Sequence, residues 1–185
     1  MRVAVDGPDA ARPETLAGAL AARLPVLGRP TVVVPARGFY RPASLRLEHG
    51  RTDPGARYTD WLDVGALGRE VLGPVGPGGS ATYLPVLWDL ERDRAARERP
   101  RAMPADGVLM VPGALLLGVG LAFDLVVHLR MSPAARQRLT PPEQAWELPA
   151  FDRYDDEVDP AALADAVVLA DHPDRPALVL AGRLA

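Results

Sequence analysis

Met1–Leu20 reads MRVAVDGPDAARPETLAGAL, and this stretch decides the fold. Val3–Val5 is a short, continuous apolar run of the kind that forms a strand buried on both faces. The Asp6-Gly7 dipeptide that follows is a turn signal. Glu14–Leu24 then carries apolar residues at helical spacing. We therefore predict a strand, a tight loop and a helix in immediate succession.

The predicted loop follows the phosphate-binding pattern G-x-x-x-x-G-K-[ST] only at its first glycine, Gly7. Arg12, Pro13 and Glu14 stand where the pattern requires Gly, Lys and Ser or Thr. A working loop wraps backbone N–H groups around the phosphates, places an ammonium on them and a hydroxyl on Mg²⁺. Proline removes an N–H, and the Glu14 carboxylate satisfies the positive helix end itself. We predict a degenerate phosphate loop filled by its own side chains.

The rest of the chain alternates apolar runs with helical patterns. We predict further strands at Thr31–Val34, Gly107–Val111, Asp124–Leu129, Ala166–Leu169 and Ala177–Leu180. We predict further helices at Val64–Leu72, Pro133–Leu139 and Pro160–Asp165. This alternation is typical of a parallel, doubly wound α/β sheet. The 185 residues are the length of a single domain, predicted over residues 1–185.

Composition excludes several classes of function. The chain has no cysteine, and all 21 of its basic residues are arginine, which excludes disulfides, thiolate catalysis and lysine Schiff bases. The absence of Lys, Ile and Asn indicates a high-GC bacterial genome. The net charge of −3 argues against nucleic-acid or membrane partners. With no leader and no apolar run of spanning length, we predict a cytoplasmic protein.

The three histidines, His49, His128 and His172, lie too far apart in sequence for a zinc motif, and we predict no metal and no cofactor. His128 lies within a predicted strand, where it is expected to be a satisfied core or edge histidine.

Three stretches together resemble the bacterial uridine-kinase-like branch of the P-loop kinases, near phosphoribulokinase. The first is VAVDGPDAA at Val3–Ala11. The second is FYRP at Phe39–Pro42, followed by Arg51-x-Asp53-Pro54, Tyr58-x-Asp60, Leu62-Asp63 and GPGG at Gly76–Gly79. The third is RYDDEVDPAALADAVVLADHPDRP at Arg153–Pro176. The resemblance implies a three-layer P-loop kinase-like fold with a mainly parallel, doubly wound sheet. It also implies a shortened, proline-broken lid at residues 132–154.

The chain departs from that family at the positions that carry phosphotransfer. Arg37-Gly38 stands where the family has a pair of aspartates, one of which is the base for the acceptor hydroxyl. Pro112 stands where a carboxylate supports Mg²⁺. Together with the altered phosphate loop, these departures imply that ATP phosphotransfer has been lost, because its parts depend on one another.

Aromatic residues concentrate in the segments that form the acceptor side of the resembled kinases. An aromatic-lined pocket binds planar or apolar molecules. We predict substrate contacts from Phe39, Tyr58, Trp61, Tyr83, Trp88, Arg92, Trp146 and Tyr154. Candidates for acid–base chemistry or for holding a substrate anion are Asp6, Arg37, Tyr40, Asp60, Asp89 and Glu91.

Three functions follow as hypotheses. The first is a repurposed enzyme of bacterial secondary metabolism, a cyclase, lyase or isomerase that uses a small apolar or planar substrate without ATP or metal; a homodimer is left open. The second is a non-catalytic ligand-binding or regulatory pseudokinase, for which the Arg92–Arg101 strip is the support. The third is a residual nucleoside (uridine) kinase that uses Arg12 in place of the phosphate-loop lysine.

Overall fold

The computed structural model describes residues 1–172 and 175–180. Its strands are β1 (Arg2–Asp6), β2 (Thr31–Val33), β3 (Thr82–Tyr83), β4 (Trp88–Asp89), β5 (Arg94–Ala95), β6 (Arg101–Ala102), β7 (Val108–Gly113), β8 (Leu125–Arg130), β9 (Ala166–Leu169) and β10 (Ala177–Leu180). Its α-helices are α1 (Pro13–Arg23), α2 (Ala43–Arg46), α3 (Pro54–Thr59), α4 (Val64–Leu67), α5 (Gly73–Val75), α6 (Pro133–Leu139), α7 (Leu148–Val158) and α8 (Pro160–Leu163). A π-helical turn spans Gly68–Leu72, and 3₁₀ turns span Asp9–Ala11, Leu24–Leu27, Ala36–Phe39 and Pro142–Glu147.

The central sheet has six strands in the order β10-β9-β8-β1-β7-β2. The pairs from β2 to β9 are parallel, and β10 is antiparallel at the edge. Helices flank both faces of the sheet, and a hydrophobic core lies on each face. The side chain of Ala4 in β1 belongs to one core, and those of Val3 and Val5 belong to the other. The predicted three-layer α/β fold with a mainly parallel sheet is therefore confirmed. Two short hairpins, β3–β6 and β4–β5, stand outside the sheet.

Pro112 lies inside β7, where a proline would ordinarily remove a ladder hydrogen bond. Pro112 alternates with residues that face β1, because Leu109 N donates to Met1 O and Gly113 O accepts from Gly7 N. The position of its missing N–H therefore faces β2, as do Val108 N, which donates to Pro30 O, and Met110 O, which accepts from Val34 N. The pairing with β2 ends at Met110, before Pro112 is reached. The proline therefore costs the sheet no hydrogen bond.

Prolines also explain where the observed helices differ from the predicted ones. The predicted helix Val64–Leu72 is α4 followed by the π turn, just before Pro74, and the carbonyl of Glu70 accepts instead from Leu84 N at 2.9 Å. Helix α7 was not predicted as an element of its own, because Pro149 suggests a break, yet proline is well tolerated in a first helical turn. Helix α3 likewise begins at Pro54, capped by the Asp53 side chain.

None of the helices in the described part of the chain is both long enough and apolar enough to cross a membrane.

Candidate functional site

The loop between β1 and α1 is closed by its own hydrogen bonds. Ala11 N donates to Pro8 O at 2.8 Å and Arg12 N donates to Asp9 O at 2.9 Å, which makes the 3₁₀ turn. Arg12 then adopts a left-handed conformation (φ 58°, ψ 55°), and Pro13 begins α1. Two of the backbone donors that could face an anion are thus used within the loop, and the prolines at positions 8 and 13 have none.

Gly7 is needed for the close approach of this loop to the sheet. A Cβ at this position would lie 2.9 Å from both the Cβ and the carbonyl oxygen of Leu129 in β8. The first glycine of the phosphate-loop pattern is therefore explained here by packing.

Glu14, in the first turn of α1, forms an ion pair with Arg37 of the 3₁₀ turn that follows β2. Arg37 Nε lies 3.1 Å from Glu14 Oε1, and both side chains are more than 40% exposed (65% and 44%). The negative charge sits near the positive end of the helix, where it is favourable. Because the pair is exposed, it contributes little to stability and can exchange partners.

Under the loop lies a buried polar group that joins three elements, formed by Asp6 of β1, His128 of β8 and Tyr154 of α7. Asp6 Oδ2 lies 2.7 Å from His128 Nδ1 and accepts from the Tyr154 hydroxyl at 3.2 Å. Asp6 Oδ1 accepts from Leu116 N at 3.0 Å, and the Tyr154 hydroxyl accepts from Leu117 N at 2.9 Å. Burial, followed by the charge of Asp6, raises the pKa of Tyr154 well above its ordinary value.

Arg57 of α3 is buried within a cluster of aromatic rings. Its guanidinium carbon lies 5.0 Å from the ring centre of Trp61, 5.6 Å from that of Tyr40 and 5.7 Å from that of Phe151. We call these residues, with Trp146, the aromatic cluster; Trp61 contacts Tyr40 edge-on at 5.7 Å and Trp146 at 5.6 Å. Two of the predicted site residues, Tyr40 and Trp61, thus pack against a cation of the chain itself.

The carboxylate partner of Arg57 comes from the segment predicted as a lid. Arg57 Nε donates to Glu147 Oε2 at 2.7 Å, and Asp9 of the loop lies 4.0 Å away. Burial alone lowers the pKa of Arg57, but Tyr40 and Glu147 raise it above its ordinary value. Arg57 therefore links the loop, the aromatic cluster and the lid segment in one contact.

A second buried arginine, Arg136 of α6, acts within the lid segment itself. Its guanidinium donates to Asp155 at 2.9 Å and to Asp152, both in α7. These contacts hold α6 against α7, and the Arg57–Glu147 pair joins the turn before α7 to α3.

A cavity at the carboxyl edge of the sheet lies between the 3₁₀ turn Ala36–Phe39 and the β4–β5 hairpin, and encloses about 760 Å³. This volume is within the usual range for small-molecule sites. We call it the hairpin groove. Five of the predicted site residues line it: Arg37, Trp88, Asp89, Glu91 and Arg92.

Within the hairpin groove, Asp89 serves the turn of the hairpin. It accepts from Glu91 N, from Arg92 N and from Arg92 Nη1 at 2.9 Å. Hydrogen bonds from Arg92 hold the pKa of Asp89 below its usual range, so that the side chain is an anion that positions Arg92. Trp88 is fixed in turn, because its Nε1 donates to Asp93 at 2.9 Å.

The other predicted site residues lie elsewhere. Tyr58 and Tyr154 line a smaller, mostly apolar cavity of about 230 Å³ beside Arg57. Phe39 and Tyr83 are core residues, and Phe39 is fully buried. Asp60 is half-buried just after α3. The structure thus distributes the predicted pocket over the hairpin groove, the aromatic cluster and the Tyr154 cavity.

Sequence reasoning did not select Arg57, Glu147 or Arg136, and it treated His128 as structural. Nothing in the spacing of the scattered arginines marks the two that are buried. The Asp6–His128 contact follows from the pairing of β1 with β8, which places these two residues side by side. That strand order cannot be read from the sequence pattern. Among the described residues, no group of three or more His, Asp or Glu side chains could hold a metal ion.

Comparison of the structure with solved proteins shows the fold. It is similar to a structure named as a possible uridine kinase from Bacillus stearothermophilus, with a TM-score of 0.73, 21% identity, and 90% of this chain and 87% of the other covered. It is also similar to a protein provisionally named as a fructose transport system kinase from Silicibacter sp. TM1040, with a TM-score of 0.58, 22% identity, and 81% and 84% covered. No protein-family model and no curated protein matches the sequence. The fold is therefore that of P-loop kinases.

Proposed function

We propose that this chain uses a kinase-like fold without ATP phosphotransfer, and that the hairpin groove binds a small organic anion with an apolar or planar body. The proposed reaction is a nucleotide- and metal-independent ring closure, elimination or isomerisation. In this proposal the phosphate loop is degenerate and has a structural role.

The observation that carries the proposal is the closed phosphate loop. The fold implies Mg²⁺-ATP, whose phosphates need converging N–H donors, an ammonium and a metal-binding hydroxyl. Here Ala11 N and Arg12 N donate within the loop, and the chain has no lysine. Glu14 occupies the hydroxyl position and is paired with Arg37. The residues present therefore do not fit the nucleotide, and we derive no step through it.

The hairpin groove supplies what an organic anion requires. Arg37 can release Glu14 to take a substrate carboxylate, since an exposed ion pair is worth only about 0–1 kcal/mol. Arg92 is held in place by Asp89. The indole of Trp88, fixed by Asp93, offers a planar apolar surface.

Chemistry in this groove would rest mainly on positioning. Holding a flexible substrate in its reactive conformation removes part of the entropic barrier to ring closure or rearrangement. Two arginines can stabilise the negative charge that forms on an enolate or carboxylate oxygen. Glu91, exposed at the rim, is the carboxylate available for proton transfer.

Calorimetry with Mg²⁺-ATP tests the loss of phosphotransfer. We expect the unchanged protein to show no binding stronger than about 1 mM, or about −4 kcal/mol. The triple variant R12G/P13K/E14S restores the three pattern residues and is expected to gain binding. Binding below about 1 mM by the unchanged protein would overturn the proposal in favour of a residual nucleoside kinase.

Benzoate, an aromatic carboxylate, tests the hairpin groove. We expect it to bind the unchanged protein, and to bind at least about tenfold less tightly after Arg92→Ala, a loss of about 1.4 kcal/mol. Arg51→Ala, outside the groove, is the matched control. Equal binding by both variants would contradict the groove as the site. If the protein binds benzoate but converts none of the carboxylic acids extracted from its native host, the ligand-binding pseudokinase is favoured.

A further inference from the structure

His128 differs from an ordinary core histidine in how its two nitrogens are placed. Nδ1 is held by Asp6 at 2.7 Å, and Asp6 is fully buried. The remaining oxygen positions of Asp6 accept from Leu116 N and from the Tyr154 hydroxyl. This network assigns the hydrogen to Nδ1, which leaves a lone pair on Nε2.

His128 borders a second cavity, on the other side of β1 from the hairpin groove, and 3% of the residue is exposed. His128 lines a groove of about 1040 Å³ together with Ser132 and residues of the α7–α8 junction. We call this cavity the His128 groove.

The His128 groove is lined by three aspartates and by two arginines that can contact a carboxylate. Its three aspartates are engaged, Asp155 with Arg136, Asp159 as the cap of α8, and Asp171 with Ser132 N at 2.7 Å. Hydrogen bonds from Ser132 hold the pKa of Asp171 below its usual range. Arg130 and Arg175 line the same groove and supply positive charge.

We propose that Asp6 and His128 form an acid–base pair that acts on a small carboxylic acid bound in the His128 groove. Nε2 takes a proton from the carbon beside the substrate's carbonyl, the C–H electron pair stays on the substrate as an enolate, and the imidazolium returns the proton. Asp6 orients the ring and stabilises the imidazolium, as a buried carboxylate does in other histidine-based sites. Proton transfer of this kind isomerises the substrate without a co-reactant. This proposal is independent of the hairpin groove.

The free-energy cost of burying Asp6 and His128 is a reason to infer a functional role for them. Burying a carboxylate and an imidazole together costs desolvation that a pair of well-packed apolar side chains would avoid. The neighbouring positions of β1 and β8 are apolar, for example Val5 beside Val127. A buried polar pair inside an otherwise apolar layer is therefore a candidate for a functional role.

Nitrogen NMR of the unchanged protein is the first test, since it requires no variant to fold. With the His128 signal assigned by comparison with His128→Gln, we expect the proton on Nδ1 and an unprotonated Nε2 at neutral pH. A proton on Nε2 would overturn the proposal, because that nitrogen could then accept no proton from the substrate.

Diethyl pyrocarbonate, which acylates an accessible imidazole nitrogen, is the second test. We expect peptide mapping to show His128 modified, but more slowly than exposed His49, because only 3% of His128 is exposed. Acetate is expected to slow the modification of His128 and leave that of His49 unchanged, with chloride at equal ionic strength as the control. Asp6→Asn is expected to abolish the reaction at His128, because the amide N–H would move the ring hydrogen to Nε2. An unreactive His128 beside a modified His49 would overturn the acid–base role, and a lack of protection by acetate would overturn the carboxylate site.

Discussion

At the scale of single residues, Arg57 decides how the predicted pocket is filled. A buried guanidinium needs a carboxylate and aromatic faces, and Glu147 and the aromatic cluster supply both. Arg57→Met keeps the volume of the side chain and removes the charge, leaving Glu147, which is 12% exposed, without its partner. We expect the free energy of unfolding in urea to fall by about 3–5 kcal/mol.

The control for this prediction is Arg153→Met, which breaks the exposed i,i+4 pair with Glu157 beside Tyr58. We expect a much smaller change there, because solvent screens an exposed pair. The double variant R57M/E147L should recover part of the stability lost in Arg57→Met, since it leaves no unpaired buried charge. Equal losses in Arg57→Met and Arg153→Met would mean that Arg57 is not an internal partner of the lid segment.

The location of a side chain could be predicted at some positions and not at others, for physical reasons. Arg37 follows β2, and Trp88 and Arg92 belong to one hairpin, so the position of each depends on its neighbours in sequence. All three line the hairpin groove. Tyr40 and Trp61 are predicted to face a substrate, yet their rings contact each other edge-on and the Arg57 guanidinium lies over both. Whether an arginine points into the core or into solvent depends on partners far away in sequence, such as Glu147.

At the scale of elements, the turn from the 3₁₀ segment into α1 carries backbone strain at Arg12. A side chain with φ 58° costs about 1–2 kcal/mol relative to the right-handed region. Arg12 is exposed, so a glycine there gives up no packing. We expect Arg12→Gly to raise the free energy of unfolding by about 1 kcal/mol.

Ala19→Gly is the control for this prediction. It places the same residue in the exposed middle of α1, where glycine is expected to cost about 1 kcal/mol. Opposite signs for the two glycine variants, measured by urea unfolding, would confirm that Arg12 holds a conformation suited to glycine. If both variants lost stability, the left-handed turn would not be a feature of the folded protein.

Element types were predictable where hydrophobic runs were continuous and bounded by turn residues. The predicted strands Ala166–Leu169 and Ala177–Leu180 and the predicted helix Pro133–Leu139 have the bounds seen in the structure. Helices α3 and α7 were not predicted, because proline in a first turn has the same local pattern as proline in a loop. The distinction depends on the N-cap and on the face that the helix buries, which is set by tertiary packing.

At the scale of the whole molecule, strand order decides what meets at the carboxyl edge of the sheet. The alternation of strands and helices predicted the fold class, but not that β1 lies between β7 and β8. That placement brings Asp6 against His128 and separates the His128 groove from the hairpin groove. Two predicted catalytic residues, Asp6 at the end of β1 and Arg37 after β2, therefore lie at different sites of the same sheet edge.

The loss of stability at high pH should depend on two buried tyrosines, Tyr40 and Tyr154. Burial raises the pKa of both Tyr40 and Tyr154 above the usual value, so above about pH 10 the unfolded chain loses phenolic protons that the folded chain keeps. Because the folded state then binds more protons, stability is complete below about pH 10 and falls as the pH rises. We expect the urea midpoint to be flat up to about pH 9 and to fall above about pH 10. The ultraviolet absorbance of tyrosinate from these two residues should appear only with unfolding.

Tyr154→Phe loses two hydrogen bonds at every pH, yet its stability should fall less steeply with rising pH. An unchanged slope in Tyr154→Phe, or tyrosinate from Tyr154 in the folded protein, would mean that the phenol is not buried against Asp6, and the network that orients His128 would then lack one of its three donors to that carboxylate.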